Sequence, residues 1–188
     1  MLLPLQGEWT EAEYLALNST RLAEFSDGCL EVLPMPTRWH QLIVKYLFKN
    51  MEAYLEAHPG GEVFFAPLPV HLWPGKYREP DLVYVRPERW RNDPRYPEGA
   101  DLAIEVVSEG EEDRRRDLVI KRQEYATAGI AEYWIVDPLE QRVTVLTLDG
   151  QAYLVHGVFA PGERATSVLL TGFEVDVAAA FAAGQPAS

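Results

Sequence analysis

The stretch Asp101-Leu102-Ala103-Ile104-Glu105-Val106-Val107 is almost continuously apolar, as befits a central strand covered on both faces. One carboxylate, Glu105, interrupts it. Residues 112–128 then read as a long helix ended by Gly129, and residues 132–136 as a second apolar strand ended by Asp137-Pro138. Strand, helix and strand in that order predict a right-handed crossover and a mixed sheet. Upstream, Trp39, Leu42, Ile43, Tyr46, Leu47, Met51, Tyr54 and Leu55 recur at spacings of three and four, so a helix beginning near Thr37 turns one apolar stripe to a core. His58-Pro59-Gly60-Gly61 stops it. Strand-like runs follow at 62–66, 70–73 and 81–85, and residues 87–99 form a loop with three prolines.

The flanks are hairpins. Ser26-Asp27-Gly28 joins runs at 22–25 and 29–33, and Asp149-Gly150 joins runs at 142–148 and 152–156, each Asp-Gly pair supplying a positive-φ turn. Thr10-Glu11-Ala12-Glu13 is a capping-box pattern opening a short helix to about residue 18. Residues 168–177 read as a last strand-rich stretch. The predicted fold class is a mixed α/β sheet within one domain over 1–188, with an N-terminal helix and hairpin (1–36), a core (37–138) and a C-terminal hairpin and extension (139–188).

Composition limits the function classes. With 47% hydrophobic and 24% charged residues, the 188-residue chain builds a packed core and is not a disordered or fibrous protein. Its most apolar segment, 175–183, is too short to cross a bilayer. The start, Met1 to Gln6, lacks the features of a signal peptide, and the single cysteine, Cys29, cannot form an internal disulfide. Both point to the cytosol. A net charge of -12 opposes general attraction to polyanions, yet residues 76–122 hold 11 Lys and Arg against 12 Asp and Glu, so the acidic excess lies elsewhere.

Glu105 is the residue that needs explaining, because a carboxylate inside a covered strand is costly unless it is paired or binds a metal. Asp81 opens another apolar strand, Leu82-Val83-Tyr84-Val85. If the two strands are neighbours, their carboxylates repel by roughly 4 kcal/mol at about 4 Å and an effective dielectric near 20. A cation between them is then expected, and two carboxylates plus a backbone carbonyl suit magnesium or manganese. On the following helix, about 100° per residue places Leu118, Val119, Tyr125, Ala126 and Ala128 on an inward arc, with Lys121 among them. Arg122 falls in the same arc, and Lys121 also stands one turn after Asp117, so taken alone Lys121 reads first as a snorkelling side chain or an ordinary helical ion pair; its helix follows the Glu105 strand directly, which lets its inward face pack beside the expected cation.

The series Glu79-Pro80-Asp81, Glu105, Asp117, Lys121, Tyr125 and Glu132-Tyr133-Trp134-Ile135-Val136-Asp137-Pro138 resembles the PD-(D/E)XK restriction-endonuclease-like superfamily, and within it a bacterial branch long catalogued as of unknown function. Phe25-Ser26-Asp27-Gly28 and His40 resemble that branch's amino-terminal signature. The resemblance implies an α-β-β-β-α-β core and phosphodiester hydrolysis, with Asp81 and Glu105 holding Mg2+ or Mn2+. It departs from the superfamily pattern at Val107, where the strand lysine is expected; the branch carries its lysine on the next helix, which corresponds to Lys121. Glu24 and His40 are second-rank catalytic candidates, with a capping or core-edge role the ordinary alternative for His40. Asp27 is explained by its turn, and Ser108 either supports the metal or ends its strand. Arg86, Arg89, Arg91 and Arg95, with the run Arg114, Arg115 and Arg116, are candidate DNA contacts as groups, although each taken singly reads first as a solvated surface charge.

The expected function is a metal-dependent endonuclease acting on DNA, paired as a homo-oligomer in the manner of many superfamily members, with the 139–188 hairpin packing on the core or on a second copy. A non-catalytic binding or assembly protein that keeps the fold is the alternative, and a small-molecule phosphodiesterase a third.

Overall fold

The computed structural model describes residues 3–17, 22–90 and 92–184. At its centre β7 (Leu102–Val106) and β8 (Glu132–Asp137) run parallel, Leu102 facing Glu132 and Val106 facing Val136. Between them the chain forms α3 (Glu111–Arg115), a π-helical turn (Arg116–Ile120) and α4 (Lys121–Thr127). On one side β6 (Leu82–Val85) pairs antiparallel with β7, and β3 (Glu62–Phe65) with β6. On the other, β9 (Arg142–Asp149) and β10 (Ala152–Phe159) extend the sheet as a hairpin, giving the order β10-β9-β8-β7-β6-β3. With α2 (Arg38–Ala57), capped by the Thr37 side chain, these elements compose the expected α-β-β-β-α-β core.

Alternation along the strands sorts the core into two layers. Leu82, Tyr84, Leu102, Ile104, Val106, Trp134 and Val136 are buried with α2 and with α5 (Val177–Gly184). Val83, Val85, Ala103, Tyr133 and Ile135 point the other way, onto Tyr125 and Ala126 of α4. Fully burying each large side chain contributes roughly 1.5–3 kcal/mol. Glu105 lies on the α4 face, so the crossover helix determines what it meets.

The N-terminal hairpin is more than an addition at one end. Strands β1 (Ala23–Ser26) and β2 (Cys29–Val32) turn at Asp27 (φ 48°) and Gly28 (φ 81°), and join β4 (Val70–Trp73) through β5 (Lys76–Arg78) in a second sheet, β2-β1-β5-β4. Periodicity groups 70–73 with the central strands and assigns nothing to 76–78; a three-residue strand alternating basic and aromatic side chains is too short to announce itself. Thr10 and Glu13 do form the capping box of α1 (Glu11–Leu15).

Two further expectations need correction. Of residues 168–177 only β12 (Glu174–Asp176) is a strand, paired with β11 (Arg164–Thr166), and the chain continues into α5. Val-Ala-Ala-Ala-Phe-Ala-Ala is apolar all round and offers no periodic stripe to read. Val119, predicted inward, is 59% exposed, because the π turn widens the helix at that point. No helix among the described residues is long and apolar enough to cross a membrane.

Glu132 opens β8 fully buried. Its carboxylate accepts from Trp134 Nε1 (2.7 Å), Ser167 Oγ (2.7 Å), Val168 N (2.7 Å) and Leu169 N (2.8 Å), which ties the C-terminal segment to the central sheet. Glu132→Ala leaves four donors without their acceptor. A loss of about 3–5 kcal/mol is expected, measured by urea unfolding; a loss below about 1 kcal/mol would mean that water replaces the carboxylate at little cost.

Candidate active site

Leu82 faces Ile104 in the β6–β7 register, which sets Asp81 opposite Glu105 one step further along. Asp81 Oδ2 accepts hydrogen bonds from the Val106 amide (2.8 Å) and lies 3.1 Å from His40 Nε2, which reaches it from the first turn of α2. Glu105 Oε1 accepts from Lys121 Nζ (2.8 Å) and from the Tyr125 hydroxyl (2.6 Å). Lys121, only 1% exposed, also lies 3.0 Å from Glu24 Oε1 and 3.6 Å from Asp117 Oδ1. Glu24 comes from β1, Asp81 from the lead into β6, Glu105 from β7 and Lys121 from the crossover helix. The Lys121 amide donates to the Arg116 carbonyl across the π turn, and π turns of this kind recur at functional sites. Here Asp117, Lys121 and Tyr125 form one line toward β7.

The five sequence candidates, Glu24, His40, Asp81, Glu105 and Lys121, therefore meet. Four of them, with Glu79, Ser108, Arg116 and Asp117, line a cavity of about 30 Å3, and Glu24 lies behind it against Lys121. That space admits about two water-sized occupants.

Electrostatics follow from carboxylates outnumbering cations. Burial, together with the charges of Asp117, Asp81 and Glu24, raises the Glu105 carboxyl to about 8 despite Lys121. Burial also raises Asp117, against the pull of Lys121 and Arg116. Glu24 goes the other way: Lys121 and Arg78 outweigh its burial and hold it at about 2. Burial lowers Lys121, but Glu105, Glu24 and Asp117 more than compensate, so it stays protonated at any physiological pH. His40 sits above its ordinary value because the hydrogen bond and charge of Asp81 exceed its desolvation.

Sequence reasoning missed Arg78 and Glu124. Arg78 is 1% exposed and donates to Glu24 Oε2 (2.7 Å), to Glu31 Oε2 (2.6 Å) and in bidentate fashion to Glu124 (2.7 and 2.9 Å). Lys76 Nζ adds a contact to Glu124 at 2.8 Å. Arg78 thus fixes the carboxylate that fixes Lys121. The alternation Lys76-Tyr77-Arg78 beside β6 is the one trace of this in the sequence, and it is too short to read.

The candidate DNA contacts scatter. Arg86 is exposed and Arg89 reaches Asp101 (3.4 Å), both at the far end of β6 from Asp81, about 13 Å of strand away. Arg95 pairs with Asp93, and Arg91 lies outside the described residues. Arg114 makes a bidentate pair with Asp137, and Arg116 pairs with Asp113 while lining the cavity. Arg115 is exposed, without an ion-pair partner among the described residues.

Asp81 Oδ1 and Glu105 Oε2 take part in none of the hydrogen bonds among the described residues, so each carboxylate has one oxygen free for a ligand. Among the described residues no three His, Cys, Asp or Glu side chains form a ready metal-binding group. Two carboxylates beside a small polar cavity suit a hard cation that keeps most of its waters, and the negative charge crowded around Glu105 is what such a cation would relieve.

A solved structure described as a putative nuclease belonging to DUF820, from Anabaena variabilis ATCC 29413, matches with a TM-score of 0.74 over 94% of this chain and 99% of that one, at 19% identity. That likeness concerns the fold. No curated protein matches the chain. The pattern of the Uma2 family, described as "Putative restriction endonuclease", matches residues 9–178, a span that takes in every residue of the cluster. The chain belongs to the Uma2 family of restriction-endonuclease-like nucleases.

Proposed function

We propose that the protein is a divalent-metal-dependent endonuclease that hydrolyses DNA phosphodiester bonds, with Asp81 and Glu105 as the ligands of Mg2+ or Mn2+. The observation that carries this is a buried, permanently charged ammonium, Lys121, held by Glu24, Asp117 and Glu105, with Glu105 and the neighbouring Asp81 each keeping an open oxygen. When bound, the cation supplies a Lewis acid for the phosphoryl oxygen and lowers the pKa of a water.

The chain's own groups do the rest. Lys121 cannot accept a proton, so it acts as fixed positive charge toward the charge developing on the phosphoryl group. Glu24, Asp117 and the Tyr125 hydroxyl hold Lys121 and Glu105 in place. His40 donates to Asp81 and orients its free oxygen. In hydrolysis the water oxygen bonds to phosphorus as the bond to the leaving sugar oxygen breaks. Arg115 and Arg116, at the cavity end of the sheet, are the arginines best placed for the phosphates on either side. Pairing of two copies belongs to the same proposal, with exposed Val155 and Val158 on one face of β10 as an apolar surface.

The test is cleavage of supercoiled, linear and single-stranded DNA with magnesium or manganese, alongside calorimetric titration of the metal into wild type and Asp81→Ala. Metal-dependent cleavage and a site lost on substitution are expected. An unchanged titration in Asp81→Ala would favour a purely structural ion-pair cluster, the non-catalytic alternative. His40→Ala is expected to weaken metal binding roughly 10- to 100-fold, as loss of a residue orienting a ligand does. The same calorimetry measures it, and an unchanged affinity would reduce His40 to a helix-start residue.

A further inference from the structure

Beside the catalytic cavity the structure has a second, larger cleft of about 770 Å3, within the range that holds ligands of several rings. Leu22, Pro34, Pro36, Glu79 and Asp81 line both, so the cleft opens onto Asp81, one of the two proposed metal ligands. Its walls are aromatic and apolar. Phe48 and Phe65 meet edge to face at 5.2 Å, and Tyr14, Leu68 and Tyr96 complete the lining. Phe65 is 58% and Met35 69% exposed at the rim, an arrangement with no role in packing the core. Lys45 is the only cation lining the cleft among the described residues.

One polar atom there has no partner. Glu79 is 7% exposed; its Oε1 accepts from the Tyr14 hydroxyl at 3.2 Å, whereas Oε2 is buried and without a hydrogen bond. Burial and the Glu24 charge raise this carboxyl to about 7, so the orphaned oxygen is satisfied by a ligand that brings a hydrogen-bonding edge, donor or acceptor, on a flat apolar body. Among the described residues the cleft offers one lysine to phosphates, so an occupant is held chiefly through its apolar rings, and a duplex keeps its base faces stacked away from such a wall. Unpaired nucleotides do fit. Bases stack on aromatic side chains whatever their sequence, and their edges carry N–H donors.

We propose that this cleft is a single-strand subsite: it takes unpaired nucleotides flanking the scissile phosphate, stacks their bases on the Phe48–Phe65 wall, and sets the Glu79 carboxyl against a base edge. The inference rests on the nuclease reading above and names its substrate class as single-stranded or locally unpaired DNA.

Binding is measured by fluorescence anisotropy on the full chain carrying Asp81→Asn, which separates binding from turnover, with labelled single-stranded, duplex and gapped oligonucleotides. At least about tenfold tighter binding of single-stranded and gapped DNA than of duplex is expected, together with a loss of roughly tenfold in Phe65→Ala, whose exposed side chain can be removed without disturbing the fold. Glu79→Gln is expected to change the ranking among oligo-dC, oligo-dA and oligo-dT. Equal binding of duplex and single strand, or a Phe65→Ala variant that binds single strands as wild type does, overturns the proposal. So does a Phe65→Asp variant that turns a dimer into a monomer in sedimentation while DNA binding is unaltered, since the cleft is then an interface between two copies. Absence of cleavage by wild type on every substrate is a different failure, that of the nuclease reading, and is scored separately from the anisotropy.

Discussion

Asp81→Asn is expected to remove metal-dependent DNA cleavage, a fall of roughly a thousandfold or more in kcat/KM, while the fold holds or becomes slightly more stable. Asparagine keeps the shape and an oxygen to accept the Val106 amide, so the local backbone loses little. What disappears is one negative charge among those that push the Glu105 carboxyl up. Removing it relieves repulsion that the metal-free protein bears, worth about 1 kcal/mol for like charges in a partly solvated site, and against this stands the charge interaction lost with His40, 3.1 Å away. A residue kept at a cost in stability is the usual mark of a functional group. Thermal melts without metal, read together with cleavage rates, test both halves. A variant that loses stability sharply would show that ionised Asp81 holds the structure together.

Arg78→Met differs in its effect on stability, which it should cost heavily along with activity. The guanidinium is clasped by Glu24, Glu31 and Glu124, and Glu24 is 0% exposed, so removing the cation strands a fully buried carboxylate. Breaking a buried pair from one side costs about 3–5 kcal/mol, roughly 10 °C in Tm for a chain of this length. The pH dependence has a definite sign. Glu24 is held at about 2 in the folded chain, below its unfolded value near 4.5. Its contribution is therefore complete above about 4.5 and is lost as pH falls toward 2. Arg78→Met moves the folded value upward, so this share of acid resistance shrinks and the acid unfolding midpoint rises. Denaturation followed by circular dichroism from pH 7 to pH 2 measures both effects, and a variant with wild-type Tm would show that Lys121 alone suffices for Glu24.

How much of this is legible in the sequence depends on how far each feature is local. The α2 stripe and the apolar runs of β6, β7 and β8 announce their periods, and Glu105 stands out because nothing around it is polar. Lys121 is legible in part: a helical wheel turns it inward, although the same wheel misplaces Val119, since an ideal 100° step does not anticipate a π turn. Arg78 and Glu124 escape because their meaning lies in partners about 50 residues away on other elements. Glu132 escapes for a similar reason, its charge being met by backbone amides of a segment that has no pattern of its own. The alanine-rich α5 is silent because apolar residues on every side leave no face to distinguish.

The arginine clasp also bears on the order in which the molecule assembles. Its three ion pairs close sequence separations of 54, 47 and 46 residues, contacts that chain entropy makes expensive until the central sheet already exists. Substitutions within it are then expected to leave the refolding rate nearly untouched and to quicken unfolding, a low φ-value in stopped-flow chevrons. If so, the scaffold condenses first and acquires the means of chemistry only in its final step, and the lifetime of the competent state is governed by how tightly that one guanidinium is gripped.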